Sequence, residues 1–427
     1  MSVEKQMKQA KEAAIKLASA SSETKNKALK NIIINLKKNK NKIFSANKKD
    51  VEAAKKFHLQ ESLIKRLVID DVKFKEMVNE LKDVIKLEDP VGKTLSVIEL
   101  DKGLVLSQIT CSIGVIGTIF ESRPDALMQI ASLCIKSGNA VVLKGGSEAL
   151  NSNRALYETI LKATNNVLPK GSIQLIETRQ QVKQILKLNQ YIDLLIPRGS
   201  NKFVKYIQEN TKIPVLGHSD GICHVYVDED ADLKKAINVC FDSKCQYSAV
   251  CNAMETMLVH KKIADKFLPK MIKKFKQANV EIRADNKTKK IVKSAKSASE
   301  QDWKTEYNDL ILSVKVVNDA DDAINHINKY GSKHTDAIIT EDDETASKFI
   351  EKVDSASIMR NASTRFADGF RYGKGAEVGI STAKIHSRGP VGLEGLVIYK
   401  YVLVGKGQVV SSYAGNSAKK FTHRRIK

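Results

Sequence analysis

The sequence predicts an α/β protein built on parallel sheets and preceded by a helical segment. From residue 113 onwards, short apolar runs typical of strands buried on both faces alternate with helix-length amphipathic segments. Glycines and prolines stand at many of the junctions. Such alternation implies right-handed crossovers between parallel strands. With 427 residues and 42% hydrophobic content, the chain is long enough for two or three domains.

Composition narrows the class of protein. No apolar run approaches the length of a membrane span, and the N-terminus, MSVEKQMKQAKEAA, lacks the apolar core of a secretory signal. Six cysteines without a CxxC pair favour a reducing compartment, so we expect a cytoplasmic protein with no membrane partner. The intervals between Cys240, Cys245 and Cys251 do not fit paired zinc ligands, and we expect no metal.

The net charge of +22 reflects a lysine excess with clusters at 37–49, 270–290 and 419–427. A basic surface attracts polyanions, so a nucleic-acid-binding protein is an alternative from a different class. The clusters lack interleaved aromatic residues, and no zinc-finger, RRM or basic-zipper pattern occurs. We therefore interpret the charge as a solvated face that tolerates anionic substrates, and predict no nucleic-acid partner.

Residues 2–87 are predicted to be helical, because apolar positions such as Leu29, Ile32 and Leu36 recur at helical spacing. Ser22 is a plausible start for the second helix. Residues 94–111 then predict two strands that turn near 101–103. This hairpin has little core of its own, so we expect an arm that pairs with another element or another subunit.

The segment after the arm carries the strongest α/β pattern. It predicts strands at 113–120, 140–144, 173–176 and 193–197, with a helix at 126–136 that stops at Ser137-Gly138-Asn139.

Two glycine turns follow strands of this sheet, Lys144-Gly145-Gly146 and Pro197-Arg198-Gly199-Ser200. Ligands of parallel sheets bind at the carboxyl ends of the strands, where glycine lets the backbone approach a phosphate. Neither turn is a GxGxxG fingerprint, and a short glycine turn often does nothing more than reverse the chain.

A second α/β region follows. It predicts strands at 213–216, 222–227, 255–260, 310–317 and 337–340, and helices at 231–241, 262–278, 320–330 and 345–353. The tail predicts two more strands, 397–404 and 408–413, as a closing hairpin.

Cys251 is the candidate nucleophile. It follows a small lead-in, Tyr247 to Val250, and stands just before the strand at 255–260. A thiolate held at the end of a loop forms acyl intermediates readily. Taken alone, a cysteine in such a position is more often a buried packing thiol.

Several motifs support the interpretation of Cys251 as a nucleophile rather than a packing thiol. In chain order they are GVIGTIFESRPD, VVLKGGSEALNSN, LIPRGS, GHSDGICHVYVDEDADL, CNAMETMLVH, DWKTEYNDLILSVKVV, NASTRFADGF and RGPVGLEGLVIYKY. Through them the chain resembles the γ-glutamyl phosphate reductases (glutamate-5-semialdehyde dehydrogenases), a proline-biosynthesis branch of the aldehyde dehydrogenase superfamily. The resemblance is dense from Gly114 to Tyr413.

The resemblance implies an aldehyde dehydrogenase-like fold with a Rossmann-like NADP-binding domain at 1–222, including an arm segment at about 93–111. A catalytic domain at 223–385 would carry Cys251, and 386–427 would form a return segment and oligomerisation arm. The implied reaction is reduction of L-glutamyl 5-phosphate by NADPH to L-glutamate 5-semialdehyde, with a thioester on Cys251 and release of phosphate.

Three departures from the hydrolytic aldehyde dehydrogenases are implied by alignment. His218 stands where they carry a water-activating glutamate. Ser122 stands at their oxyanion-stabilising asparagine, with Arg123 beside it to hold the phosphoryl group. Ser147 replaces a ribose-binding glutamate, which leaves room for the 2′-phosphate of NADP beside Lys144.

The remaining implied site residues are cofactor-binding or substrate-binding. Gly145, Gly146, Gly199, Ser200 and Glu306 align with cofactor-facing positions. Arg365 and Arg388 are candidates for the substrate α-carboxylate, although arginines are more often exposed surface residues.

The resemblance further implies a homo-oligomer, and the lability of the substrate suggests docking with glutamate 5-kinase. A CoA-acylating aldehyde dehydrogenase is the enzymatic alternative, because it shares the thiol and lacks the water-activating glutamate.

Overall fold

The computed structural model describes residues 1–121, 123–199, 201–218 and 220–427. Fourteen α-helices lie within these residues: α1 Val3–Leu17, α2 Ser22–Lys38, α3 Lys40–Lys56, α4 Glu61–Leu67, α5 Asp71–Lys86, α6 Asp125–Lys136, α7 Leu150–Thr164, α8 Arg179–Ile185, α9 Asn201–Glu209, α10 Leu233–Cys245, α11 Lys261–Gln277, α12 Asn286–Ile291, α13 Ala320–Tyr330 and α14 Asp343–Lys352.

The strands in the same part of the chain are β1 Thr94–Asp101, β2 Leu104–Ser112, β3 Val115–Phe120, β4 Ala140–Lys144, β5 Ile173–Leu175, β6 Leu194–Arg198, β7 Cys223–Val227, β8 Met254–His260, β9 Glu281–Ala284, β10 Lys296–Ser297, β11 Ile311–Val317, β12 Thr335–Ile339, β13 Ser357–Arg360, β14 Gly379–Ser381, β15 Gly389–Val391, β16 Val397–Val404 and β17 Arg424–Arg425.

Two parallel sheets confirm the predicted α/β class. The first has the order β5-β4-β3-β6, and the second has the order β10-β9-β11-β8-β7-β12-β13. Strands β3 and β8 lie inside their sheets and are buried at every residue, as continuous apolar runs predict. Because all strands of each sheet are parallel, the loops after them gather at one edge, where a ligand can bind.

Helices α1 to α5 confirm the predicted helical N-terminus. Leu29, Ile32 and Leu36 of α2 are fully buried and pack in one core with α5, α6 and the first sheet. The second helix begins at Ser22, as predicted, and it is capped by the preceding residue: the Ser21 hydroxyl accepts a hydrogen bond from the backbone N–H of Thr24.

The predicted hairpin is confirmed as β1 and β2, which form an antiparallel sheet in the order β16-β2-β1-β17. Strand β16 pairs with β2 from Val397 to Val404 and has no neighbour on its other side among the described residues. Several of its large apolar side chains are exposed, including Tyr401 at 62% and Leu403 at 55%.

Two predicted strands are wrong. Residues 408–413 do not pair with β16; Val410–Tyr413 forms a 3-10 turn instead. The Gln408 side chain instead accepts from the Lys406 N–H at 2.6 Å and donates to the carbonyl of the distant Lys102 at 3.3 Å. Residues 213–216 contribute only a parallel bridge between Val215 and Leu195.

No helix in the described ranges combines the length and the apolar character that crossing a membrane requires.

Candidate active site

Cys251 lies in the loop between α10 and β8, just before the amino end of β8. Cys251 is partly exposed, whereas Cys134, Cys223 and Cys240 are buried. Burial raises the pKa of the Cys134 and Cys240 thiols well above the usual range. Those two thiols are packing groups, whereas Cys251 shares its partial exposure with Cys111 and Cys245.

The loop around Cys251 is held by its neighbours. The Asn252 side chain donates to the Ala367 carbonyl at 2.9 Å, and the Ala253 N–H donates to the Val250 carbonyl at 3.0 Å. These bonds fix the backbone on both sides of the sulfur while leaving the sulfur without a hydrogen bond among the described contacts.

Gly221 lets a second chain segment approach the nucleophile. A Cβ at this position would lie 2.3 Å from the Cys251 carbonyl oxygen and 2.6 Å from Oε1 of Glu306. Any larger residue would therefore push apart the Cys251 loop and Glu306. The predicted site residue Glu306 consequently lies beside the nucleophile's backbone.

Two histidines lie beside the sulfur. The metal-ligating atoms of His218, His334 and Cys251 all lie within 4.8 Å of one another. The two imidazole rings meet edge to face, with centroids 4.8 Å apart. The Nδ1 atom of His218 lies 2.8 Å from the carbonyl oxygen of Ile380. Because a carbonyl only accepts, Nδ1 of the neutral ring carries the proton and Nε2 keeps its lone pair.

Two arginines supply positive charge. Burial lowers the pKa of the Arg198 guanidinium, while the carboxylate of Glu377 opposes the shift. Burial also lowers the pKa of Arg365. The guanidinium of Arg198 lines a cavity, and Nε of Arg365 donates to Oε1 of Gln246 at 3.0 Å.

A cavity of about 450 Å³ opens at Arg198 and Arg123 and is closed by α5 and the segment 368–377. Its carboxylates come from Glu76, Glu80, Asp83, Asp368 and Glu377. The pocket therefore offers both signs of charge, as the binding of a zwitterion requires.

Glu76 and Glu80 are the acids of this cavity without a described partner, and Glu76 is exposed. Asp83 pairs with Lys86 at 2.9 Å, Glu377 accepts from the Gly369 N–H at 2.9 Å, and Asp368 accepts from two backbone N–H groups. Glu80 is partly buried and has no described hydrogen bond or ion pair. Burial raises its pKa to about 7, helped by Asp125 and Glu76.

The predicted cofactor turn lies at the end of β4. The pKa of Lys144 is lowered, first by burial; Glu148 and Glu121 counteract this, and Arg179 adds to it. Gly145 and Gly146 follow without side chains, and a Cβ on Gly146 would lie 1.9 Å from the carboxylate of Glu148. A side chain at either position would collide with its neighbours, because a Cβ on Gly145 would lie 2.1 Å from Nδ2 of Asn153; the turn therefore requires two glycines.

Comparison with known proteins decides the family. The aldehyde dehydrogenase family model matches residues 1–304. A γ-glutamyl phosphate reductase from Methanococcoides burtonii is 57% identical, over 99% of this chain and 97% of the relative. The chain belongs to the γ-glutamyl phosphate reductases of the aldehyde dehydrogenase family. The resemblance stated from the sequence motifs is thereby confirmed.

Solved structures of the family agree in fold. The crystal structure of γ-glutamyl phosphate reductase from Thermotoga maritima has a TM-score of 0.94 at 42% identity, covering 95% of this chain and 99% of that one. Glyceraldehyde-3-phosphate dehydrogenase from Methanocaldococcus jannaschii, complexed with NADP, has a TM-score of 0.67 at 18% identity. It covers 95% of this chain and 94% of that one, and at this identity the likeness concerns the fold alone.

Within this chain, the predicted site residues fall into three groups. The backbone of Cys251 and the carboxylate of Glu306 lie together at Gly221, Arg123 lines the cavity, and Arg365 donates to Gln246. Lys144, Gly145, Gly146 and Ser147 form the turn after β4, and Gly199 ends the turn after β6 beside the carboxylate of Glu121. Ser122 and Ser200 lie outside the described residues.

Arg388 is engaged elsewhere. Its guanidinium pairs with Asp354 at 3.1 Å, and the same carboxylate also pairs with Lys333 and Lys384. No contact in the described part of the chain joins Arg388 to Cys251. Its predicted role in binding the substrate α-carboxylate has no support from this geometry.

Four site residues were not assigned from the sequence. Arg198 was noted only as a positive charge in a glycine turn, and His334, Glu80 and Glu377 were not singled out. His334 precedes a buried strand and Glu80 lies on an amphipathic helix, positions that ordinarily indicate packing or a solvated face. Their role depends on contacts with distant parts of the chain.

Proposed function

We propose that this chain reduces L-glutamyl 5-phosphate to L-glutamate 5-semialdehyde with NADPH, releasing phosphate, as the second step of proline biosynthesis in the cytoplasm. The observation that carries the proposal is the partly exposed Cys251, with Arg123 and Arg198 lining a cavity of the same fold, in a chain 57% identical to a named γ-glutamyl phosphate reductase. An anionic acyl donor and a thiolate nucleophile both favour such a pair of cations.

In the first step the Cys251 sulfur attacks the γ-carbonyl carbon of the acyl phosphate. A carbon–sulfur bond forms, and the bond to the phosphate oxygen breaks as phosphate leaves with the electron pair. Arg198, Arg123 and Arg365 surround the leaving group and the substrate carboxylate with positive charge, which stabilises the transition state electrostatically. The product is a γ-glutamyl thioester on Cys251.

The residues at the first sheet fit a nicotinamide dinucleotide. Lys144 and Arg179 are near one another at the end of β4, and Ser147 carries no charge that would oppose a 2′-phosphate. Glu306 would hold the nicotinamide ribose beside Cys251. The bound dinucleotide supplies the hydride that reduces the thioester carbon. Cys251 then leaves as the thiol when the aldehyde forms.

The presence of His218 instead of a glutamate would protect the Cys251 thioester from hydrolysis. Its Nδ1–H is bound to the Ile380 carbonyl, and its ring faces another imidazole rather than a water-activating carboxylate. The hydrolytic aldehyde dehydrogenases use a glutamate at this position to deacylate the cysteine. With histidine in place of that glutamate, reduction of the thioester, or its attack by phosphate in the reverse direction, is favoured over hydrolysis.

Glu80 is our candidate for the substrate α-ammonium group. It is the partly buried carboxylate of the cavity without a described partner, and it lies across the cavity from Arg123 and Arg198. Charges of opposite sign on the two walls would orient the α-ammonium and α-carboxylate groups and direct the γ-carbonyl towards Cys251.

We also propose that the arm sheet joins two copies of this chain. Strand β16 is an edge strand with exposed Tyr401 and Leu403, and a second copy would cover both the strand edge and its apolar side chains. Docking with glutamate 5-kinase rests on substrate lability alone; a pull-down with that kinase tests it, and a negative result would count against it.

The reverse reaction tests the activity. Purified protein is supplied with glutamate 5-semialdehyde, NADP and phosphate while NADPH absorbance is followed. We expect phosphate-dependent turnover that is lost in Cys251→Ala. Turnover with CoA in place of phosphate would favour the CoA-acylating alternative, and turnover that survives in the alanine variant would reject the mechanism.

A further inference from the structure

Three chain segments bring a sulfur and two imidazoles together at the nucleophile. His218 follows the bridge at Val215, Cys251 precedes β8, and His334 precedes β12. Their nitrogen and sulfur ligand atoms lie within 4.8 Å of one another. Reduction of an acyl phosphate through Cys251 does not require two histidines at this place, so the cluster calls for a separate explanation.

Each histidine presents a free nitrogen to the cluster. Nδ1–H of His218 donates a hydrogen bond to the Ile380 carbonyl, so the lone pair of the neutral ring is on Nε2. His334 is fully buried; its Nδ1 lies 2.9 Å from Oγ1 of Thr335, and its Nε2 has no hydrogen-bond partner among the described residues. A backbone or side-chain oxygen bound to the far nitrogen is the arrangement that orients histidines towards a metal.

The ligand set selects the metal. Two imidazole nitrogens and one thiolate suit a tetrahedral zinc-type ion, whereas Mg²⁺ and Ca²⁺ require oxygen ligands. Bonds of about 2.0–2.3 Å place tetrahedral ligands roughly 3.3–3.8 Å apart, so the side chains must draw in by about 1 Å. Three protein ligands leave a fourth position open to water.

We propose that His218, His334 and Cys251 form an inhibitory binding site for a zinc-type divalent ion. On binding, the Cys251 thiol releases its proton to solvent and its sulfur forms a bond to the metal. The sulfur is then no longer available to attack a carbonyl carbon. The metal site itself does not depend on the proposed reaction. Only the inhibitory consequence rests on Cys251 being the nucleophile.

Cobalt(II) provides a readout that does not depend on activity. On titration of the purified protein with Co²⁺, we expect thiolate-to-cobalt charge-transfer absorption and the intense visible bands of a tetrahedral site, displaced by one equivalent of Zn²⁺. Cys251→Ser should lose the charge-transfer band. His334→Asn should weaken binding at least about tenfold, since it removes a ligand. His58→Asn, at an exposed histidine outside the cluster, should bind like the wild type.

Inhibition is then measured in the reductase assay. Zn²⁺ should inhibit the wild type reversibly, with activity restored by a chelator, and the Zn²⁺ concentration for half-inhibition should rise at least about tenfold in His334→Asn. Absence of the charge-transfer band, or equal Co²⁺ affinity in wild type and His334→Asn, would overturn the site. Tight Co²⁺ binding without inhibition would leave the site intact and instead contradict the role of Cys251.

Discussion

Nζ of Lys244 lies 2.6 Å from Oε2 of Glu255, and both side chains are completely buried. Lys244 is in the last turn of α10 and Glu255 is the second residue of β8, so the pair spans the loop that carries Cys251. The Glu255 carboxylate also accepts from the backbone N–H of Asn308, close to Glu306. The pair therefore ties the nucleophile's loop to the segment predicted to bind the cofactor.

Removing one member of this pair should be costly. Lys244→Met leaves Glu255 buried without its partner, and we expect the free energy of unfolding to fall by about 3–5 kcal/mol. Urea unfolding measures this change. Lys48→Met, which breaks an exposed pair with Glu52 at 3.8 Å, should cost less than about 0.5 kcal/mol.

The double variant Lys244→Met/Glu255→Leu sharpens that test. It removes both charges from the core, so it should be more stable than Lys244→Met alone. If the double variant were less stable than the single one, the unpaired carboxylate would not be the cause of the destabilisation.

Stability should depend on pH through Glu80. Its pKa is raised from 4.5 to about 7, so the folded state binds the proton more tightly than the unfolded state. Stability from this group is present below about pH 4.5 and is lost as the pH rises to about 7. Glu80→Gln should therefore be more stable than the wild type by about 2 kcal/mol at pH 8, and similar at pH 4.5. Urea unfolding at both pH values checks this difference.

The same variant tests the proposed contact with the substrate α-ammonium. In the reverse reaction, Glu80→Gln should lower kcat/KM about 10- to 100-fold with glutamate 5-semialdehyde, because a charge-assisted contact is lost. With 5-oxopentanoate, which lacks the amino group, wild type and variant should be equal. Asp83→Asn is the matched control, since Asp83 already pairs with Lys86. Equal losses on both aldehydes would contradict the assignment.

The arginines are expected to differ in their effect. Arg198→Gln should lower kcat/KM about 100-fold, because the guanidinium lines the cavity proposed to hold the substrate. Arg388→Gln should stay within about threefold of wild type, because Arg388 is occupied by Asp354. Steady-state kinetics with phosphate as the varied substrate compares them. A larger loss for Arg388→Gln would restore its predicted role in substrate binding.

The arm should control assembly. We expect Tyr401→Glu/Leu403→Glu to reduce the molar mass measured by light scattering, since the charges oppose burial of β16 against a second copy. Ile15→Glu, at an equally exposed apolar residue of α1, should leave the mass unchanged. A wild-type chain that is monomeric at micromolar concentration would dispose of the proposal.

The sequence predicted most elements because their signals are local. The boundaries of β4, α13 and β16 agree with the predicted ranges, since apolar period and flanking turn residues mark them within a few positions. Residues 408–413 misled the prediction because a strand-like composition was overruled by the hydrogen bonds of the Gln408 side chain.

The sequence by itself determined the α/β class and the family, and it singled out Cys251 as the candidate nucleophile, because these depend on short motifs whose order along the chain is enough. Only the tertiary structure decided that His218 and His334 flank that sulfur, that Glu80 faces Arg198 across a cavity, and that Arg388 is paired with Asp354. The physical reason is that periodicity reports which face of an element is buried, whereas contacts between residues a hundred positions apart are set by how the sheets and helices pack.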